Sequence, residues 1–226
     1  MKKEDKYFLW VASAAFLILL FMLSNSAYFL SEILFQIFKS QREDLYRLFL
    51  NSIVVFCASF AVFFYFSFLK KEIVLKDLGL ENFWQKFKKA FYYFLIFLLA
   101  SGIFFKIYSF FVDLKALYAV EIIRVYKNEN LWLLLFFVAL LPAFSEELFF
   151  RGVLVLGALK SKKALLGLFL STVIFALVHF NWVLLPYYFL IGLYLGVIAL
   201  KTKSLLVPFV VHFLINFLVV LSICFS

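Results

Sequence analysis

Glu146 and Glu147 stand side by side, with Arg151 four residues beyond the second, inside a long run that is otherwise almost uncharged. From Asn130 to the C-terminus these two are the only acidic residues, and the chain's 2 histidines, His179 and His212, fall in the same stretch. Ionisable side chains are poorly solvated in an apolar run of membrane length, so they mark a buried polar site. Glu147 and Arg151 share a helix face at this spacing and can pair. Glu146 projects roughly 100° away and faces something else. One carboxylate held by a cation and a second left to take a proton is the division of labour a hydrolase uses. The plainer alternative is a buried Glu–Arg pair that ties two helices together.

The histidines allow the same two readings. His179 ends the stretch Phe175-Ala176-Leu177-Val178-His179, and His212 lies four residues before Asn216. His212 and Asn216 on one face either orient an imidazole, donate together to a developing oxyanion, or hydrogen-bond a neighbouring helix as packing groups. The chain has no intramembrane Ser–His–Asp or Cys–His set. A water nucleophile is therefore the natural hydrolytic choice.

Composition sets the solvent. With 67% hydrophobic and 23% aromatic residues, 35 of them Phe, the chain is far more apolar than a soluble domain. Its apolar stretches are continuous rather than alternating, which argues against a β-barrel. The expected class is all-α: a polytopic transmembrane helical bundle in the lipid bilayer. The net charge of +9 comes from short clusters between apolar runs, where it reads as topology signal and anionic-lipid contact rather than as a nucleic-acid surface. Cys57 and Cys224 lie in apolar runs without a spacing motif and read as packing residues.

Seven spans follow in order, at about 7–30, 45–69, 90–112, 131–159, 164–180, 184–200 and 205–225. The longest runs exceed the roughly 20 residues a crossing needs. The chain reads as a single membrane domain, with three accessory spans in 1–112 and a motif-bearing core in 131–225. The first run reads as a retained anchor rather than a cleaved signal, because it is long for a signal peptide. Residues 31–46 read as interfacial, and Asp77-Leu78-Gly79-Leu80 as a turn. Pro142 falls just before the glutamates and is expected to kink or restart the helix; if Ser145 starts a second segment, both carboxylates sit near a helix N-terminus. Lysine and arginine are concentrated in the N-terminal lead, the 70–89 connection, the 160–163 turn and Lys201/Lys203. That side is expected to be cytoplasmic, with the N-terminus cytoplasmic and the C-terminus outside. At ~1.5 Å per residue, Glu146 lies about 18–20 Å from the cytoplasmic end of its span, His179 about 22 Å and His212 about 12 Å, so a shared cavity is geometrically feasible.

Taken together, Glu146-Glu147-x-x-x-Arg151, Phe175-x-x-x-His179 and His212-x-x-x-Asn216 resemble the three ordered motifs of the CPBP intramembrane proteases. These are the type II CAAX prenyl endopeptidase and bacteriocin-processing, Abi-like family. The stretch through Gly192, Gly196 and Lys201-Thr202-Lys203-Ser204-Leu205 resembles the family too, so the likeness covers about 131–225. It implies helices around a polar cavity open to the cytoplasm and hydrolysis of a peptide bond in a membrane-associated substrate, of CAAX or leader-peptide type. It implies that Glu146 and His179 activate water, that His212 and Asn216 stabilise the oxyanion, and that Glu147, Arg151 and Phe175 support the site. No cofactor is favoured; a zinc ion, if one is used, would take Glu146, His179 and His212. The chain ends soon after the His212 span, where some relatives carry a further helix. Two other functions remain open from sequence. One is a non-enzymatic bacteriocin-immunity or protein-sorting factor on the same scaffold. The other is a proton-coupled transporter, against which stand the lack of an internal repeat and of matched broken spans. The expected location is the cell membrane, multi-pass and prokaryotic.

Overall fold

A computed structural model describes residues 43–64, 81–112, 129–160, 162–179 and 181–225. The expected first span (7–30), most of the interfacial segment after it and the turn at 77–80 lie outside these residues. Among the described residues the chain is helical and has no strand.

Six helices position the site. Helix α1, Glu43–Phe64, buries Ser52, Val55, Ser59 and Phe63, a stripe at three- and four-residue spacing that faces one neighbour. Helix α2, Phe83–Tyr108, starts after a left-handed Asn82 and takes in Phe83, Trp84 and Phe87 ahead of the expected third span. Only Ala90, Phe94 and Phe97 of α2 are buried, and α2 lies along the last helix.

Helix α3, Leu131–Leu159, is the core element. Asn130 caps it, its Oδ1 accepting from the Trp132 and Leu133 amides at 2.9 and 3.4 Å. Contrary to the expected restart at Pro142, the helix runs on. Two stretches in i→i+5 register, Leu135–Leu140 and Leu148–Leu156, bracket the α-helical Leu141–Glu147 that carries both glutamates. The first stretch accommodates the proline. The Leu141 amide bonds to Phe136 O, so in that register the Phe137 carbonyl faces the amide hydrogen that Pro142 lacks. Ser52 Oγ of α1 donates to this carbonyl at 2.9 Å. A polar residue on a neighbouring helix thus satisfies the backbone group that the proline frees, as lipid requires.

Helix α4, Ala164–Leu177, has 14 residues, three fewer than the expected fifth span. It packs closely on α3: a Cβ on Gly167 would sit 2.4 Å from Leu154 O. A turn leads into α5, Leu185–Thr202, in which the Asn181 side chain accepts from the Leu184 amide at 3.0 Å. After Lys203, in left-handed conformation with φ 46°, Ser204 Oγ accepts from the Leu206 amide at 3.2 Å. This starts α6, Leu206–Phe225.

Four of these helices, α2, α3, α5 and α6, are long and apolar enough to cross a membrane. Shorter apolar stretches occupy Ser52–Ala61 of α1 and Ala164–Leu177. The chain is a multi-pass membrane protein whose described helices include four of the seven expected spans at full length. Packing defines the two ends of the bundle. At one end, Leu134 and Ala139 of α3 meet Val220 and Ile223 of α6, and the Tyr108 hydroxyl of α2 donates to the Val183 carbonyl in the α4–α5 turn. At the other, Val155 and Leu156 pack on Ala199, beside the lysines of the 160–163 and 201–203 turns.

Candidate active site

Every residue of Leu148–Leu156 is buried, so α3 is enclosed on all sides around Arg151. Glu147 and Arg151 are both fully buried, and Arg151 Nη1 donates to Glu147 Oε1 at 2.6 Å. Arg151 Nη2 reaches across to the Gly192 carbonyl of α5 at 3.1 Å, and the guanidinium lies over the Phe175 ring, 4.6 Å from its centroid. One arginine therefore joins α3, α4 and α5 through a charged hydrogen bond, a carbonyl and an aromatic face. Glycine at 192 permits this approach, since a Cβ there would meet Phe175 Cδ1 at 3.2 Å and Thr172 O at 3.3 Å.

Glu147 Oε1 also receives His212 of α6, whose Nδ1 lies 2.8 Å away. A carboxylate only accepts, so His212 carries a proton on Nδ1 and turns Nε2 away from Glu147. Nε2 lies 4.0 Å from Glu146 Oε2. The sequence leaves Asn216 as one possible orienter of this imidazole; the observed orienter is Glu147. Glu146 differs from its neighbour in having a side chain 16% exposed, while its Oε2 is buried without a hydrogen-bond partner.

His179 follows the end of α4, and its Nδ1 donates to the Phe175 carbonyl at 2.6 Å, which leaves Nε2 as the acceptor nitrogen. The ring stacks on Tyr188 of α5, with centroids 4.0 Å apart and planes at 22°. Phe175 touches both imidazoles, at centroid distances of 4.7 Å to His179 and 5.8 Å to His212.

Glu146, His179, His212 and Asn216 all line one cavity of about 470 Å³. The helices thus gather the four candidate residues of three sequence motifs around one void. Glu147 and Arg151 form the buried scaffold behind it, and Phe175 supports both imidazoles. Tyr188 and the Gly192 carbonyl belong to the site although no sequence signal singles out the tyrosine, one of two adjacent tyrosines in an aromatic-rich helix.

The candidate zinc set of Glu146, His179 and His212 does not form a coordination group. Among the described residues no three His, Cys, Asp or Glu side chains come together closely enough to hold a metal ion. His212 and His179 use Nδ1 for Glu147 and Phe175, which leaves Nε2 of each ring facing the cavity side of the set without deciding for or against a metal.

Comparison with known proteins agrees with the motifs. Residues 128–218 match the family model described as Type II CAAX prenyl endopeptidase Rce1-like. The chain is similar to the Uncharacterized protein YpbD of Bacillus subtilis, 37% identical over 84 residues that make up 35% of this chain and 40% of the relative. It therefore spans well under half of that relative's length. No solved structure matches the chain. The match over 128–218 takes in Glu146, Arg151, His179, His212 and Asn216, so the motif-bearing part of this chain is similar to the type II CAAX prenyl endopeptidase Rce1-like family.

Proposed function

We propose that the protein is an intramembrane endopeptidase that cleaves a membrane-associated peptide with a water molecule activated by Glu146 and His179. The observation that carries this reading is the bare Glu146 Oε2, buried beside the His212 imidazole in a cavity also lined by His179 and Asn216. An unpaired buried carboxylate oxygen is costly. Here a water or substrate group can satisfy it.

The step runs as follows. Glu146 accepts a proton from water while the resulting hydroxide attacks the scissile carbonyl carbon. His179 Nε2 holds the same water, its tautomer set by Phe175 O. The carbonyl oxygen becomes an oxyanion and accepts from the Asn216 amide and from His212 Nε2. Donation by Nε2 requires the doubly protonated ring, with Glu147 taking Nδ1–H. Collapse breaks the C–N bond as the proton held by Glu146 passes to the leaving nitrogen, giving a new carboxyl terminus and a new amine. Fixed donors aimed at the developing charge supply most of the stabilisation in such a site. In this reading each proton and each charge has a side chain to hold it.

The test is cleavage of a membrane peptide by purified protein, followed by mass spectrometry, with Glu146→Gln as the comparison. The isosteric amide cannot take the proton, so cleavage should fall by at least ~100-fold. Undiminished cleavage would remove Glu146 from the chemistry.

A further inference from the structure

The cavity has a direction. Its lining comes from α3 at Val138, Pro142 and Glu146, from the first turns of α5 at Leu184 and Tyr187, and from α6 between Ile215 and Ile223. These are the N-terminal half of α3, the start of α5 and the C-terminal part of α6, all toward the bundle end where the α4–α5 turn lies. Asn181 of that turn is itself in the wall. Helix α4 explains the opening: its 14 residues rise only about 21 Å, well short of the roughly 30 Å hydrocarbon layer. The turn after it is therefore sunk below the membrane surface, and irregular backbone at that depth is tolerated where it borders a water-filled space. Charge labels the two ends oppositely. Lys86, Lys88 and Lys89 at the start of α2, the lysines of the 160–163 turn, and Lys201 and Lys203 all lie at the far end. The cavity end has Lys106 and Glu129 together with Glu43, Asp44 and Arg47 at the start of α1, a mixed set without the lysine excess of the far end.

From this juxtaposition we infer that the cavity opens on the face opposite the cytoplasm, and that its substrates are peptide segments already carried across the membrane. The lysine-rich end stays cytoplasmic by the rule that governs short loops. The mouth is then outside, opposite to the cytoplasmic opening that the family resemblance implies. A cytoplasmic lipidated C-terminus does not reach it. A translocated segment of a secreted or membrane-anchored peptide does, entering beside the exposed Trp182. The side of the opening stands on charge and packing; the substrate class also rests on the endopeptidase reading.

The experiment separates the two. Cys57 and Cys224 are first replaced by serine. Single cysteines are then placed at the turn (Trp182→Cys or, as a second position, Val183→Cys) and at the lysine-rich end (Lys201→Cys). Intact bacterial cells expressing each variant are treated with a membrane-impermeant maleimide before and after permeabilisation. Labelling of the turn in intact cells, with Lys201→Cys labelled only after permeabilisation, is the expected result. The reverse pattern, or a turn that labels in neither state, overturns the inference. Sealed right-side-out and inverted vesicles given the same quenched peptide from outside then test the substrate side. Cleavage by right-side-out vesicles is expected, and cleavage confined to inverted vesicles overturns it. Absence of cleavage even after detergent, with the labelling as expected, rejects the endopeptidase reading and with it the substrate class, and leaves the outward mouth standing.

Discussion

His212 Nδ1 lies 2.8 Å from Glu147 Oε1 across 65 residues of chain, so the second glutamate of the pair works through an imidazole on the last helix. Glu147 is thus a positioning residue whose loss acts through His212. Glu147→Gln should lower cleavage by about 10–100-fold, as loss of an orienting partner does, mainly in kcat. Combined with His212→Ala it should add almost nothing beyond His212→Ala alone. Losses that multiply in the double variant would show that the two act independently.

Arg151 holds Glu147, the Gly192 carbonyl and the face of Phe175 at once. Arg151→Met leaves a buried carboxylate short of its cation and should cost about 3–5 kcal/mol. Arg151→Lys should recover only part of this, since an ammonium cannot reproduce the planar fork. Thermal unfolding in detergent micelles measures both; equal stability of the lysine variant and the parent would refute the three-way contact.

Ser52 and Pro142 form a testable pair through the Phe137 carbonyl. Ser52→Ala removes this hydrogen bond and should destabilise by about 0.5–1.5 kcal/mol. Adding Pro142→Ala restores an amide hydrogen to α3 and should recover much of that loss. A double variant as unstable as the sum of the two singles would show that the serine does not serve the proline.

Two glycines make a matched comparison. A Cβ at Gly167 would lie 2.4 Å from Leu154 O and from Ala158 Cβ, whereas one at Gly102 meets nothing within 4 Å. Gly167→Ala should therefore cost at least ~1–3 kcal/mol as α4 is pushed from α3. Gly102→Ala should be neutral or stabilising by up to ~1 kcal/mol, since alanine is the better helix former. Comparing their unfolding midpoints decides the matter.

The donor geometry also predicts the response to chelation. Because no three metal-ligating side chains converge among the described residues, cleavage should proceed unchanged after dialysis against a chelator. Inhibition reversed by added zinc would require Glu146, His179 and His212 to rearrange around an ion.

The amino-acid order by itself determined the membrane class, most helix positions and the identity of the polar residues, because hydrophobicity and isolated charge are local properties. An acid or imidazole in an apolar run stands out wherever it later points. It also determined that Glu147 pairs with Arg151, since four-residue spacing places both on one face. Tertiary structure decided what local spacing cannot encode. The helix continues through Pro142 because α1 brings Ser52 to a carbonyl 85 residues away in sequence. His212 turns to Glu147 rather than depending on Asn216, and Tyr188 lies against His179, because α5 and α6 approach α3 and α4 at particular depths. The turn after short α4 brings Asn181 into the cavity wall. Those relationships depend on helix length, tilt and contact between distant segments, and they exist only once the bundle is assembled.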